Sequence, residues 1–108
     1  MKISKNTPMK GQFRHIVFKD KGVWYAVALE FNIVESSDDP RLAHFNLLQA
    51  VDGYIAAMKK IKGAKNYTAL NQNADPEYEK LWSIVNSEKP IRSPYQINSF
   101  GISSASHA

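Results

Sequence analysis

Three histidines and ten carboxylates are the side chains of this 108-residue chain that could carry acid–base or metal chemistry. Cysteine is absent, which removes a disulfide framework, a thiolate metal site and a thiol nucleophile. His15, His44 and His107 are scattered, and none has a partner at metal-ligand spacing. Each therefore reads as an exposed or internally satisfied histidine. There is no Gly-rich phosphate loop, no Gly-x-Ser-x-Gly elbow and no His-x-x-x-His pair. The acids Glu30, Glu35, Asp38, Asp39 and Asp52 fall within one acidic stretch. Hydrolysis of phosphodiesters with two metals would need several of them to converge on cations roughly 4 Å apart. These residue types assign no catalytic, cofactor or metal site, so the expectation is a protein that is not an enzyme.

The elements that position these groups follow from hydropathy period. Residues 1–12, with Pro8 and Gly11, read as a flexible leader. Phe13 to Lys19 is β-branched and aromatic and predicts a strand, closed by a turn at Asp20-Lys21-Gly22. Val23 to Phe31 alternates, with Val23, Tyr25, Val27, Leu29 and Phe31 on one face and Trp24, Ala26, Ala28 and Glu30 on the other. A short third strand covers Ile33 to Ser36, and three strands so close in sequence predict an antiparallel meander.

The period then lengthens. Asp39 is placed to cap a helix that Pro40 can open, and the spacing predicts that helix over 40–62. Ala43, Leu47, Ala50, Tyr54, Ala57 and Ile61 form its stripe, widened by Leu48, Val51, Ile55 and Met58. Lys59, Lys60 and Lys62 suit its negative end, and Gly63 stops it. Asp75-Pro76 repeats the capping device ahead of a second helix near 76–87. The intervening residues 64–74 read as loop, and Pro90 and Pro94 precede a last strand over 95–102. The expected organisation is a core over 13–62, a C-terminal helix and last strand within 63–102, and a disordered tail at 103–108. The fold class is α+β: an antiparallel sheet of three to four strands with the long helix on one face, plus an extra short C-terminal helix. Ile16, Phe18, Tyr25, Val27, Leu29, Leu47, Val51, Ile55 and Met58 are the expected buried set.

Net charge is +4 and uneven: +5 over 1–21, −4 over 22–58, +4 over 59–65 and −1 over 66–108. Only three of the fourteen basic residues are Arg, and there is no cluster in which aromatics interleave with Arg, so RNA binding is not favoured. No apolar run approaches the roughly 18 residues that span a bilayer. The charged start Met1–Asn6 leads into no apolar signal core. No membrane association is expected, and the expected location is the cytoplasm.

A meander followed by a helix also begins the ribonuclease H-like fold, in which an acid sits inside the first strand. Phe13 to Lys19 contains none, which argues against a metal-dependent nuclease. The run Val23-Trp24-Tyr25-Ala26-Val27-Ala28-Leu29-Glu30-Phe31-Asn32-Ile33-Val34 goes further. With Glu35-Ser36-Ser37-Asp38-Asp39-Pro40 and the helix residues Ala43, Asn46, Leu47, Ala50, Val51 and Tyr54, it resembles the HicB-like family. These are antitoxins of type II toxin–antitoxin pairs and their solitary relatives. The likeness rests on an aromatic second strand with a Leu-Glu-Phe exit, an acidic cap and an Ala-x-x-Asn-Leu helix, over about half of the chain.

The resemblance implies a truncated ribonuclease H-like fold without nuclease activity, binding and blocking a small toxin that cleaves messenger RNA. Many members add a C-terminal DNA-binding module. The 45 residues after Gly63 hold one helix, too little for a helix-turn-helix, so DNA binding is not expected. The expected function is protein binding, neutralising or scaffolding a partner such as a small basic toxin. Glu30, Glu35, Asp38 and Asp39 are the candidate partner-binding residues. The alternative is an RNA-binding or cryptic nuclease domain. A sheet covered on one side also leads to the expectation of a homodimer, using the C-terminal helix or last strand.

Overall fold

The structure is a computed structural model that describes residues 10–58, 60, 70–87 and 92–106. The expected leader up to residue 9, the Lys59, Lys62 and Gly63 helix stop, most of the 64–74 loop, Pro90 and the last two residues lie outside them. The elements are β1 (Lys10–Asp20), β2 (Val23–Ala28), β3 (Ile33–Ser37), α1 (Pro40–Met58), α2 (Pro76–Val85) and β4 (Gln96–Ser106). The strands form one sheet in the order β3-β2-β1-β4, with every neighbouring pair antiparallel. The chain is thus α+β with a four-stranded antiparallel sheet and a long helix. No helix among the described residues is long and apolar enough to cross a membrane.

Local chemistry accounts for the joints. Between β1 and β2 the chain turns on Lys21 (φ 51°) and Gly22 (φ 82°). Two successive positive φ values match the right-handed twist of a tight hairpin, and Gly22 meets that requirement without a Cβ clash. β2 does not run to Phe31 as its alternation suggests. It ends at Ala28, and Leu29–Phe31 tighten into a single 3-10 turn closed by Asn32 in the left-handed conformation. Asp39 accepts hydrogen bonds from the N–H groups of Arg41 (2.7 Å) and Leu42 (3.2 Å), satisfying the first turn of α1. Asp75 caps α2 in the same way through the N–H of Glu77 at 2.9 Å.

Two expectations at the chain ends are corrected. Residues 10–12, read as leader, begin β1, and residues 103–106, read as tail, complete β4. The register Lys10↔Ser106 through Phe13↔Ser103 explains both, because each segment supplies the other's backbone partners. Small polar residues that would not hold a strand alone are held by this pairing.

The covering of the sheet is also corrected. α1 lies on one face, where Ala43, Leu47, Val51 and Ile55 meet Phe13, Val17, Trp24, Ala26, Ala28 and Phe31. The second face is not open. Ile16, Phe18, Val27 and Leu29 are buried there with Ala74 and Leu81, flanked by Tyr25, Tyr78, Trp82 and Val85. The strand residues expected beneath the long helix therefore lie beneath α2 instead. Ala26 and Ala28 lie beneath α1 among the larger Phe13, Trp24 and Phe31, and Val27 and Leu29 lie beneath the shorter α2. Tyr25 and Met58 are only partly buried, and Leu48, expected in the α1 stripe, is 39% exposed.

Candidate functional site

The four acids singled out by sequence separate into two kinds. Glu30, in the 3-10 turn, is buried at 8% exposure and does not join an open acidic face. Its Oε1 accepts the backbone N–H of Arg14 at 2.7 Å, and its Oε2 accepts Arg14 Nε at 2.7 Å. Asp39 is committed to capping α1, and Asp38 accepts a hydrogen bond from the Ser37 hydroxyl at 3.3 Å while remaining exposed. Glu35 sits on the edge strand β3 and makes no ion pair among the described residues. Of the four, Glu35 and Asp38 retain carboxylates that a partner could engage.

Arg14 is the centre of an ion-pair arrangement that no local feature of the sequence signals. Its guanidinium bridges Glu30 and Glu79 of α2 (Nη1 to Oε1, 2.5 Å), and lies 5.6 Å from the centre of the Trp82 ring. Burial works against the charge, yet the hydrogen bonds and attraction of the two carboxylates outweigh it and raise the Arg14 pKa above its ordinary value. The arrangement ties β1, the 3-10 turn and α2 together. Beside it a cleft of about 220 Å³ opens between α2 and β4, lined by Arg14, Trp82, Asn86, Phe100, Gly101 and Ile102. Trp82 meets Phe100 edge-on at 6.1 Å.

On the α1 face, His15 and His44 come together although 29 positions separate them in sequence: their rings stack with centroids 4.7 Å apart. His15 Nδ1 lies 2.9 Å from the Ser103 hydroxyl. Burial, with His44 adding to it, pulls the His15 pKa down from 6.5 to about 4, so this ring is neutral at pH 7. His44 Nε2 and Ser99 Oγ are buried without hydrogen-bond partners. No carboxylate is paired with either ring among the hydrogen bonds and ion pairs of the described residues, and the stacked rings join α1 to the sheet.

A third arrangement fixes the segment before α2. Asn32 donates to Asn73 O (2.9 Å) and Gln72 Oε1 (3.2 Å), and accepts the Asp75 N–H at 3.1 Å. Gln72 donates to the Tyr54 hydroxyl at 2.8 Å, and its own N–H reaches Glu30 O at 2.9 Å. This clamp carries the chain from the α1 side of the sheet to the α2 side.

Among the described residues, no three His, Asp or Glu side chains gather where they could hold a metal ion. Large apolar side chains instead face solvent: Leu42 (47% exposed), Phe45 (55%) and Leu48 along α1, and Phe100 (44%) and Ile102 (37%) on β4. No protein-family model matches the chain, and no curated protein or solved structure does either.

Proposed function

We propose that this chain is a non-catalytic, HicB-like domain of the antitoxin type, which binds a protein partner in the cytoplasm and neutralises or scaffolds it. A small basic RNA-cleaving toxin is the kind of partner meant, and the sheet with α1 is the truncated ribonuclease H-like core of that reading. One observation carries it. Arg14, Glu30 and Glu79 are spent on one another, while α1 turns Leu42, Phe45 and Leu48 to water. An apolar stripe with polar surroundings is the signature of a docking face. Asp38 stands exposed just before α1, and Glu35 lies on the preceding strand, so acidic groups flank the N-terminal approach to the stripe. That combination suits a basic partner better than a nucleic acid.

The test is co-expression with a small basic protein, where a neighbouring reading frame encodes one. Relief of its growth arrest by this chain, lost in a Phe45→Asp variant that still folds, supports the reading. Purified protein that cleaves labelled RNA with Mg²⁺ or Mn²⁺, and loses that cleavage in a Glu30→Gln/Asp52→Asn variant, moves the chain to the nuclease class.

A further inference from the structure

The last strand carries an internal symmetry that its neighbours do not use. β4 ends the strand order, so one of its edges has no strand partner among the described residues. From Tyr95 to Ser106 the chain has no charged residue and no proline, the two residue types that ordinarily blunt an exposed edge. A single bulge interrupts it: Val17↔Ser99 is followed by Phe18↔Ile97, leaving Asn98 as the extra residue. Beyond that bulge the sequence reads Ser99-Phe100-Gly101-Ile102-Ser103, the same residue classes in either direction about Gly101. Phe100 and Ile102 point to the α2 side and are exposed, whereas Ser99, Gly101 and Ser103 pair with Val17, His15 and Phe13 and face the α1 side.

We propose that β4 pairs antiparallel with β4 of a second copy of this chain, on a two-fold axis passing through Gly101. In that register Phe100 of one copy stands opposite Ile102 of the other, twice over, and Ser99 stands opposite Ser103. Apolar meets apolar on one face, and hydroxyl meets hydroxyl on the other, as an isologous contact demands. The new apolar ladder continues into the Trp82–Phe100 contact, so the second copy supplies an outer wall to the cleft beside Arg14. Charge does not oppose the approach there, because Arg14 is already bridged by Glu30 and Glu79.

The other edge of the sheet is a poor rival. β3 is only five residues long, carries Glu35 at its centre and runs into Asp38 and Asp39. A two-fold on β3 would set Glu35 against Glu35, and like charges directly opposite are destabilising.

The register can be read chemically because the native chain has no cysteine. Residues opposite one another in an antiparallel pair have Cα atoms about 4.5–5.5 Å apart, inside the span a disulfide bridges. A Cβ at Gly101 would sit 3.5 Å from His15 Cε1, an ordinary contact, so Gly101→Cys is sterically tolerated. Under mild oxidation Gly101→Cys is expected to crosslink to a covalent dimer, whereas Ser103→Cys, which would face position 99, is not. In sedimentation velocity up to millimolar protein, the parent is expected to shift from monomer to dimer. Phe100→Lys/Ile102→Lys abolishes that shift, and Phe100→Lys/Ile102→Glu retains it, because position 100 of one copy meets position 102 of the other. A parent that stays monomeric at every concentration overturns the proposal. So does a dimer that resists crosslinking at position 101 or persists in a folded double-lysine variant, which would place the second copy elsewhere, such as on the α1 stripe. Should the double-lysine variant fail to fold, the two cysteine variants still decide the register.

Discussion

Arg14 and Glu30 are joined twice, through the backbone N–H and the guanidinium of the same residue, both at 2.7 Å. The double attachment fixes where β1 lies relative to the 3-10 turn, and Glu79 then brings α2 to the same guanidinium. Glu30→Ala leaves the Arg14 N–H without its acceptor and the guanidinium with Glu79 alone, and is expected to cost about 2 kcal/mol. Arg14→Met/Glu30→Gln keeps an acceptor for the Arg14-position N–H and should lose less than the two single changes added together. Urea denaturation of the four proteins gives the coupling, and simple additivity would show that the pair does not act as a unit.

Stability is expected to fall in mild acid because of His15. Its folded pKa, about 4, lies below the 6.5 of an unfolded histidine, so the unfolded chain takes up the proton first. The contribution is present above about pH 6.5 and is lost as pH falls toward 4, on the order of 2 kcal/mol after allowing for solvent screening. His15→Phe keeps a flat ring against His44 and removes the titration. Melting curves between pH 7 and 4 should be flatter for that variant, and parallel curves would show that His15 does not govern this window.

Neighbouring positions on α1 should respond in opposite ways. Val51 is 1% exposed and belongs to the core under the helix, so Val51→Asp buries an unpaired charge and is expected to unfold the domain. Leu48 is exposed, and Leu48→Asp is expected to stay within about 0.5 kcal/mol of the parent. Circular dichroism melts of the two variants separate a buried stripe from an exposed one; equal effects would contradict the helix orientation.

Asn32 combines a positive φ of 51° with a side chain bonded to three later residues. Asn32→Gly keeps the backbone conformation and loses only the clamp. Asn32→Val loses both, and holding a β-branched residue in the left-handed region adds roughly 1–3 kcal/mol. The expected order of melting temperature is parent, Asn32→Gly, Asn32→Val. A glycine variant no more stable than the valine variant would mean that backbone strain plays no part.

What the sequence makes legible here is local. The α1 helix start, the Asp39 and Asp75 caps and the turn at Lys21-Gly22 each depend on residues within a few positions, and each appears in the structure; the expected stripe of Ala43, Leu47, Ala50, Tyr54 and Ala57 is rotated, with Val51 and Ile55 buried, Ala50 and Tyr54 half-buried and Ala57 exposed. What it hides is made at a distance. Glu30 looks like a free acid until Arg14, sixteen positions earlier, is placed beside it. His15 and His44 look isolated until α1 crosses the sheet. Alternation in β2 reveals two faces but not which helix covers each, because both faces are apolar and both are buried. The end of β4 is missed for the same reason: Ser103 to Ser106 has little strand preference of its own and borrows its order from β1.

The pairing of Lys10 with Ser106 has a kinetic consequence. The hairpins of β1, β2 and β3 and the helix after them close short loops, which costs little chain entropy. β1 can acquire its second neighbour only after nearly the whole described chain has been searched through, the slow kind of closure that governs folding speed. Stopped-flow refolding should therefore show substitutions in β4 acting mainly on the unfolding rate, with those in the β1–β2 hairpin slowing refolding. During that interval β1 presents to other molecules the same backbone groups that β4 will later claim, so the early species, rather than the finished sheet, sets how readily this chain aggregates as it folds.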